Sequence, residues 1–290
     1  KPSLKFLGFF SFLKFLLLFE FGRGGIAYVN YILKNLNFHD YLYDSKNDVK
    51  FRVKYNDLIS MAILKHGCYE ENSLKLALRI LRYKPGLFVD VGANFGLYAI
   101  YASKIADVET IAIDGLPESF TLLLDNIELN QLRGKIIACN LVLAASNHYA
   151  FFGHHDQGNF GSSRIKDKLN KNQPRQFVVD TTTLDNLLEF IPTDQSSISL
   201  IKLDIEGHEY EVFKNSTLLE RYRPPYILTE ILEDNENSNK LIDLFVNNQY
   251  TPFTITGDKY KVGMVIPESN LLFLDNLNLD FLWQVYERPA

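Results

Sequence analysis

The residues that most constrain this chain run from Phe88 to Gly96 and read FVDVGANFG. An apolar run ends in Asp90, two glycines four residues apart follow at 92 and 96, and the apolar residues from Leu97 onward are typical of a helix. A strand, a glycine turn and a helix in this order open the nucleotide-binding unit of α/β proteins. Glycine has no Cβ, so backbone N–H groups at the helix N-terminus can lie close to a ligand.

The spacing of the glycines argues against a pyrophosphate ligand. Dinucleotide-binding turns carry the pattern G-x-G-x-x-G, whereas this turn reads D-x-G-x-x-x-G, with Ala93 and Asn94 after the first glycine. An acidic residue before the first glycine suits a ligand that carries an ammonium group, such as the methionine part of S-adenosylmethionine. The pattern alone leaves open a turn that only joins a strand to a helix.

The next predicted strand, residues 110–113, also ends in a carboxylate. This residue, Asp114, lies 18 residues after Gly96, near the distance of about 20 residues at which nucleotide-binding folds place their ribose-binding carboxylate. A carboxylate can accept hydrogen bonds from both ribose hydroxyls. Asp114 is therefore predicted to hold a ribose, with a solvated helix cap as the alternative.

A third stretch, residues 198–209, reads ISLIKLDIEGHE and predicts a buried strand followed by carboxylates and a glycine. Ligands of open α/β sheets bind outside the carboxyl ends of the strands. Asp90, Asp114 and Asp204 all fall at such ends. The sequence therefore predicts that three acidic residues meet in one crevice.

Strands and helices alternate along most of the chain, which predicts an α/β fold with one doubly wound, mostly parallel, Rossmann-like sheet. The last two strands, near 250–255 and 271–274, are predicted to form an antiparallel C-terminal edge. Residues 150–180 are rich in Gly, Asn and Ser and predict a loop or hairpin near the site. The predicted domains are a helical extension over 1–50 and a catalytic domain over 51–290. The extension is predicted to contain a helix over 26–36 and a polar link through Asp40, Asp44, Ser45 and Asn47. The catalytic domain is predicted to contain a strand over 135–143 and a helix over 210–219.

Composition excludes some classes of protein. The net charge of −5 argues against a broad nucleic-acid surface. The two cysteines, Cys68 and Cys139, give neither a disulfide framework nor zinc-ligand spacing, so we expect both to be apolar fillers in a reducing compartment. The expected location is cytoplasmic, with membrane association left open.

The first residues are unusually rich in Phe and Leu. Residues 4–21 predict an apolar helix, but Lys5, Lys14 and Glu20 interrupt it and it is too short for a clear membrane-spanning helix. No small-residue cleavage site follows it. We expect residues 4–36 to pack on the domain, to form a homodimer, or to make a peripheral membrane contact.

Four blocks, in this order, make the chain similar to the FkbM-like family of S-adenosylmethionine-dependent methyltransferases. They are Gly67–Glu70, Val89–Gly96, Asp114 with Pro117-Glu118, and Ile201–Glu209. The resemblance covers about residues 51–255. It implies a class I methyltransferase fold, S-adenosylmethionine as cofactor, and a small-molecule or glycan acceptor. The implied reaction is methylation of a hydroxyl on a sugar, a lipid-linked glycan or a polyketide-like metabolite.

The resemblance also implies roles by position. The glycine turn would cradle the methionine end of the cofactor, Asp114 would hold the ribose, and the turn at 143–146 would lie by the adenine. The sequence departs from the family pattern with an aspartate at 114 in place of glutamate, Gly115 in place of proline, and His208 where small residues are commoner. The implied cofactor-binding residues are Glu70, Asp90, Gly92, Asn94, Gly96, Asp114 and Ser146.

Methyl transfer to a hydroxyl needs aligned reactants and a group that takes the proton. Asp204, Glu206 and His208 cluster at one strand end and are the predicted catalytic residues, with Asp204 facing the methyl group. Glu206 equally fits a charge at a helix N-terminus, and His208 fits an ordinary packed or surface histidine. Asp204, Glu206 and Glu230 could together bind a hard cation, since such ions take carboxylate oxygens, but nothing in the spacing demands a metal ion.

Three other functions are disfavoured by the sequence. A nicotinamide-dependent oxidoreductase is disfavoured because the third glycine and a Tyr-x-x-x-Lys pattern are missing. A non-catalytic Rossmann-like scaffold that binds partners or membrane through its N-terminus is disfavoured because Asp90, Gly92, Gly96 and Asp114 are all present. A nucleic-acid methyltransferase is disfavoured by the acidic balance and by the absence of an Asn-Pro-Pro-Tyr-type motif.

Overall fold

A computed structural model describes residues 5–6, 39–44, 47–54, 59, 69–154, 163–166, 176–191, 198–232, 235–281 and 286. Most of the N-terminal segment, including nearly all of 4–36 and the predicted helix at 26–36, lies outside the described residues, as does Cys68. Within the described residues, no helix has both the length and the apolar character needed to cross a bilayer. The predicted division at residue 50 stays a prediction.

Seven strands form the main sheet, and their bounds are β4 Leu87–Val91, β5 Thr110–Ile113, β6 Ile136–Cys139, β11 Ile198–Leu203, β12 Tyr226–Glu230, β13 Tyr250–Thr254 and β14 Asn270–Asp275. Their order across the sheet is β13-β14-β12-β11-β4-β5-β6. All pairs from β6 to β12 are parallel, whereas β14 is antiparallel to both of its neighbours. The predicted mostly parallel sheet with an antiparallel C-terminal edge is confirmed. The antiparallel strand is β14, inserted between β12 and the edge strand β13.

Helices cover both faces of this sheet. Their bounds are α1 Glu71–Tyr83, α2 Leu97–Tyr101, α3 Pro117–Leu129, α4 Leu184–Phe190, α5 Glu209–Phe213, α6 Leu218–Arg221 and α7 Glu236–Asn247, and α2 continues as a π-helical turn over Ala102–Ala106. The first three helices pack in one apolar core and the last four in the other. Strands buried on both faces read as continuous apolar runs, which is why β4 and β11 are apolar at almost every position.

The strand order reverses between β4 and β11, because the sheet extends from β4 through β5 to β6 and from β11 through β12 toward the other edge. Such a switch point opens a crevice at the carboxyl ends of the two strands. Asp90 on β4 lies in register with Lys202 on β11. The predicted acidic residues therefore stand at the position where an α/β sheet binds its ligand.

A second sheet accounts for much of the predicted insertion. It contains β7 Val142–Leu143, β8 Tyr149–His154, β9 Ser163–Lys166 and β10 Gln176–Thr182, in the order β7-β10-β8-β9. β8 pairs antiparallel with both β9 and β10. The segment predicted as a loop or hairpin is thus a small sheet where it is described.

Three local expectations differ from the structure. The polar link expected through Asp40, Asp44, Ser45 and Asn47 overlaps strand β2 His39–Asp44. Strand β2 pairs with β3 Val49–Lys54 and with β1 Lys5–Phe6, which falls within the segment expected to be helical. The helix expected over 210–219 is two short helices, because Ser216 and Thr217 donate hydrogen bonds to the Asp185 carboxylate.

The third difference is that the strand expected over 135–143 breaks after Cys139. The side-chain amide of Asn140 donates to the backbone carbonyl of Asp114. The chain then leaves the main sheet and pairs with β10 as β7. This break carries the next turn away from β5 and toward the second sheet.

Candidate active site

The glycine turn after β4 packs directly against the end of β11. Gly92 has φ +82°, and a Cβ there would lie 1.9 Å from the backbone carbonyl oxygen of Asp204. Gly96 has φ +95°, and its Cβ would lie 2.7 Å from the Leu123 side chain. Asn94, between them, also adopts a left-handed backbone with φ 52°. The close approach that requires glycine at 92 is therefore to the neighbouring strand, and it brings Asp204 beside the turn.

Asp114 joins the glycine turn to the end of β5. Its carboxylate accepts hydrogen bonds from the backbone N–H of Asn94 and of Leu116, both at 2.8 Å. Burial raises the pKa of Asp114 to about 6, although the two amides oppose the rise. A carboxylate has about four acceptor positions, so two hydrogen bonds leave room for ribose hydroxyls.

Asp90 lies at the floor of the crevice. Its side chain is 1% exposed, and neither carboxylate oxygen has a hydrogen-bond partner of normal geometry among the described residues. The backbone N–H of Ala99 lies near enough to lower the pKa of Asp90 but does not reach that geometry. Burial raises its pKa to about 7, while the nearby Lys202 ammonium lowers it. A buried carboxylate without a partner is costly. A ligand ammonium group would supply the missing donors.

Lys202 and Asp204 form an ion pair on β11 and at its end. The Lys202 Nζ lies 3.0 Å from Asp204 Oδ2 and 4.4 Å from the centroid of the Tyr98 ring, in cation–π contact. The Tyr98 hydroxyl donates to Glu70 Oε2 at 2.8 Å. These contacts connect β11, α2 and the N-terminus of α1, so residues far apart in the sequence share one polar cluster.

The turn after β11 is held by a carboxylate that was not among the predicted site residues. Glu209 is 3% exposed and accepts hydrogen bonds from the backbone N–H of Ile205 and of Gly207, at 2.9 and 3.2 Å. Glu206 has φ +58° within this turn, and the half-buried His208 precedes α5 as its N-cap. The three predicted catalytic residues therefore do lie on one short, braced turn.

Glu230 at the end of β12 extends the acidic cluster. Its Oε2 is buried and has no hydrogen-bond partner among the described residues. Burial and the charges of Asp204 and Glu206 together raise its pKa to about 9, although the charge of Lys202 lowers it. Across the described ranges, no group of three or more His, Cys, Asp or Glu side chains is arranged to hold a metal ion.

The raised pKa of Glu230 predicts a pH-dependent stability. The folded protein binds a proton at Glu230 more tightly than the unfolded chain does, so its contribution to the free energy of unfolding is full below about pH 4.5 and is lost as the pH rises toward about 9. We expect Glu230→Gln to be increasingly stabilising, relative to the parent, from pH 5 to pH 9. Urea unfolding across this range measures it.

The control for this prediction is Glu220→Gln, which alters an exposed glutamate on α6. Its difference from the parent should not change with pH. A Glu230→Gln difference that is constant from pH 5 to pH 9 would show that Glu230 ionises normally in the folded protein.

A glutamate from the C-terminal part of the chain fixes the start of α1. The Glu268 carboxylate accepts hydrogen bonds from the backbone N–H of Asn72 and Ser73 and from both of their side chains. Residue 70, at the N-cap of α1, makes no side-chain cap of its own. Glu268 therefore replaces the missing cap and holds the turn that carries Glu70.

Ser146 stands apart from this cluster in its contacts. It is exposed, and its backbone carbonyl accepts a hydrogen bond from Thr181 Oγ1 on β10. The preceding residues, Ala144 and Ala145, line a cavity of about 210 Å³ whose other walls come from α4, α5 and α6. The adenine contact expected of Ser146 stays a prediction.

Sequence reasoning assigned no role to Lys202 and Tyr98, and it considered Glu230 only as a metal ligand. One signal for Lys202 was available. A lysine within a strand whose two faces are both buried must have a charged partner, because a lone buried charge is very costly. No comparable signal marks Tyr98, since an aromatic residue early in a helix is ordinary.

The residues of the crevice fit S-adenosylmethionine, the cofactor that the sequence resemblance implies. Asp90 offers an unpartnered buried carboxylate for an ammonium group. Asp114 keeps free acceptor positions for ribose hydroxyls.

The chain is similar to one family of proteins and to several solved structures. The family model described as "Methyltransferase FkbM domain" matches residues 90–252. An FkbM methyltransferase from Methylobacillus flagellatus is 13% identical to this chain, with a TM-score of 0.43. The match covers 65% of this chain and 43% of the Methylobacillus protein, so the chain spans less than half the length of that protein. An O-methyltransferase from Bacillus cereus in complex with SAH is 11% identical to this chain, with a TM-score of 0.43. The match covers 75% of this chain and 87% of the Bacillus protein. No curated protein matches the chain.

The family match extends from Asp90 through the turn after β11 to β13 and so includes the residues at the strand ends. It favours methyl transfer over the nicotinamide-dependent alternative. Because the matched region is more than half of the sequence, the chain belongs to the FkbM family of methyltransferases, with S-adenosylmethionine as its cofactor.

Proposed function

We propose that this protein transfers a methyl group from S-adenosylmethionine to a hydroxyl of a sugar, a glycan or a polyketide-like metabolite. The observation that carries the proposal is the position of Asp204. It lies at the carboxyl end of β11, next to the glycine turn, with its Oδ2 held by Lys202. A carboxylate fixed at the switch point is suited to accept a proton from a hydroxyl that attacks there.

The cofactor would be held on the β4 and β5 side of the crevice. Asp90 would bind its ammonium group and Asp114 its ribose, and Asn94 and the glycines would shape the turn between them. S-adenosylmethionine supplies an electrophilic methyl group when bound. The protein supplies alignment, which alone can lower the barrier of a two-reactant step by several kcal/mol, roughly 7 to 11 in well-oriented cases.

The acceptor would lie over β11 and β12. Asp204 takes the hydroxyl proton as the oxygen forms its bond to carbon, and Glu206 or His208 assists from the same turn. A weakly basic carboxylate is sufficient, because the hydroxyl becomes strongly acidic once its oxygen begins to bond to the methyl carbon. Glu230 at the end of β12 offers an acceptor-side carboxyl group for a second hydroxyl of a polyol.

The remaining acceptor contacts are proposed to come from the first 50 residues, the 150–180 segment and the C-terminal strands. For residues 4–36 we retain the proposal of a homodimer contact or a peripheral membrane contact. The cysteine content and the acidic balance support a cytoplasmic location.

The test compares hydroxyl and amine acceptors that are otherwise alike. The purified chain is incubated with S-adenosylmethionine and with a panel of polyols, sugars and phenols, each paired with an amine counterpart, such as glucose with glucosamine. Release of S-adenosylhomocysteine is measured, and the product is located by mass spectrometry. We expect methylation on oxygen; methylation on nitrogen and on no hydroxyl of any acceptor would overturn the proposal.

Once an acceptor is identified, we expect Asp204→Asn to slow methyl transfer to it by about 100-fold at saturating cofactor, which is typical for the loss of a general base. Binding of S-adenosylhomocysteine should stay close to that of the parent. Unchanged turnover in Asp204→Asn would remove Asp204 from the mechanism.

A further inference from the structure

Lys202 is an unusual residue for the centre of a sheet. It is 2% exposed and lies on β11, a strand buried at every position. Lysine is almost never fully buried unless it is paired, since removing its charge from water is costly. Its burial therefore requires partners that are themselves held in place.

The partners of Lys202 come from both halves of the crevice. Its Nζ binds Asp204 Oδ2 at 3.0 Å, and β11 pairs Lys202 with Asp90 on β4, the strand assigned to the cofactor. The Tyr98 ring lies 4.4 Å from Nζ, and the Tyr98 hydroxyl donates to Glu70. A single ammonium group thus stands between the cofactor side and the acceptor side.

The charges around it are mostly negative. Lys202 is the cation that lowers the pKa of Glu70, Asp90 and Glu230. Burial alone would lower the pKa of Lys202 itself, but Asp204, Glu70 and Asp90 raise it above its ordinary value. Lys202 therefore stays charged and offsets part of the negative charge.

This offset matters for methyl transfer in particular. The sulfonium of S-adenosylmethionine carries a positive charge that disappears as the methyl group leaves. An uncompensated acidic crevice would stabilise the charged reactant more than the transition state, in which this charge is dispersed, and so would slow the reaction.

We propose that Lys202 is a positioning residue that fixes the Asp204 carboxylate at the switch point and balances the charge of the crevice, so that the cationic cofactor is not held more tightly than the transition state. The inference rests on the proposed function, because it takes Asp204 as the group that faces the reacting hydroxyl.

The test needs no acceptor. S-adenosylmethionine and S-adenosylhomocysteine differ by one methyl group and one positive charge, so the ratio of their dissociation constants, Kd of S-adenosylhomocysteine over Kd of S-adenosylmethionine, reports the charge of the crevice. Calorimetric titration of each variant at pH 8 measures both constants. A loss of structure would weaken both ligands alike and leave the ratio unchanged.

Lys202→Met should raise this ratio about tenfold, as expected for the loss of one charge at a distance of several Å in a partly screened site. Asp204→Asn should lower it by a similar factor. The double variant Lys202→Met/Asp204→Asn should return it to within about threefold of the parent, because it removes one charge of each sign. Lys240→Met, which alters an exposed lysine on α7, is the matched control.

The outcomes separate the two claims. A parent that binds neither ligand contradicts the proposed function. If the parent binds both ligands and the variants have the same ratio as the parent, the role of Lys202 is overturned and the proposed function is not. If Lys202→Met does not fold, the ratios of Asp204→Asn and of the double variant decide, since their predicted changes differ.

Discussion

Replacing Asp114 with alanine should weaken the binding of S-adenosylhomocysteine by about 100-fold or more. Each hydrogen bond from a ribose hydroxyl to a carboxylate contributes about 1.5 to 3 kcal/mol, and Asp114 would make two. The alanine variant also loses the hydrogen bond that ties the Asn94 amide to β5. Calorimetric titration of parent and variant with S-adenosylhomocysteine gives the two dissociation constants.

Two further variants define what this result means. Asp114→Asn keeps the shape and one acceptor oxygen, so we expect a loss smaller than that of alanine. Asp243→Ala, on the exposed face of α7, should bind as the parent does. Parent-like affinity in Asp114→Ala would show that the ribose is held elsewhere.

The second large effect is expected at Gly92. A Cβ at this residue would lie 1.9 Å from the Asp204 carbonyl oxygen, and the backbone has φ +82°. Neither the backbone conformation nor the contact can be relieved without moving β4 away from β11. We expect Gly92→Ala to lower the free energy of unfolding by about 3 kcal/mol or more, from overpacking together with backbone strain. Urea unfolding measures the change.

Gly134→Ala is the matched control, because a Cβ at Gly134 would meet nothing within 4 Å. It should leave the unfolding midpoint nearly unchanged. A Gly92→Ala variant as stable as this control would mean that the approach of the glycine turn to β11 is looser than the structure has it. Weakened cofactor binding should accompany the loss of stability, since the same turn carries Asn94.

Much of the fold was predictable, because a strand that is buried on both faces consists mostly of apolar residues that are consecutive in the sequence. β4 and β11 lie at the centre of the sheet and therefore read as apolar runs, and the acidic residues at their ends mark the edge where ligands bind. The pairing of β14 between β12 and β13 was less visible. An antiparallel edge follows from the chain order, but the insertion of the last strand depends on which neighbour buries more of its surface.

The site was predictable at the residues that follow a strand directly. Asp114 and Asp204 are such residues, and Asp90 is the second-to-last residue of β4. The structure brings Asp90 and Asp204 beside Lys202. Ser146 was placed by resemblance alone. The break after Cys139 carries it to the second sheet, and its contact there is with Thr181.

The sequence by itself determined the alternation of strands and helices, the glycine turn, and the carboxylates at the strand ends. Each of these features depends on residues that lie close together along the chain. Only the tertiary structure decided that Lys202 contacts Tyr98, that Tyr98 reaches Glu70, and that Glu268 caps α1 from almost 200 residues away. These contacts depend on strand order and on burial in three dimensions, and no local pattern of residues specifies either.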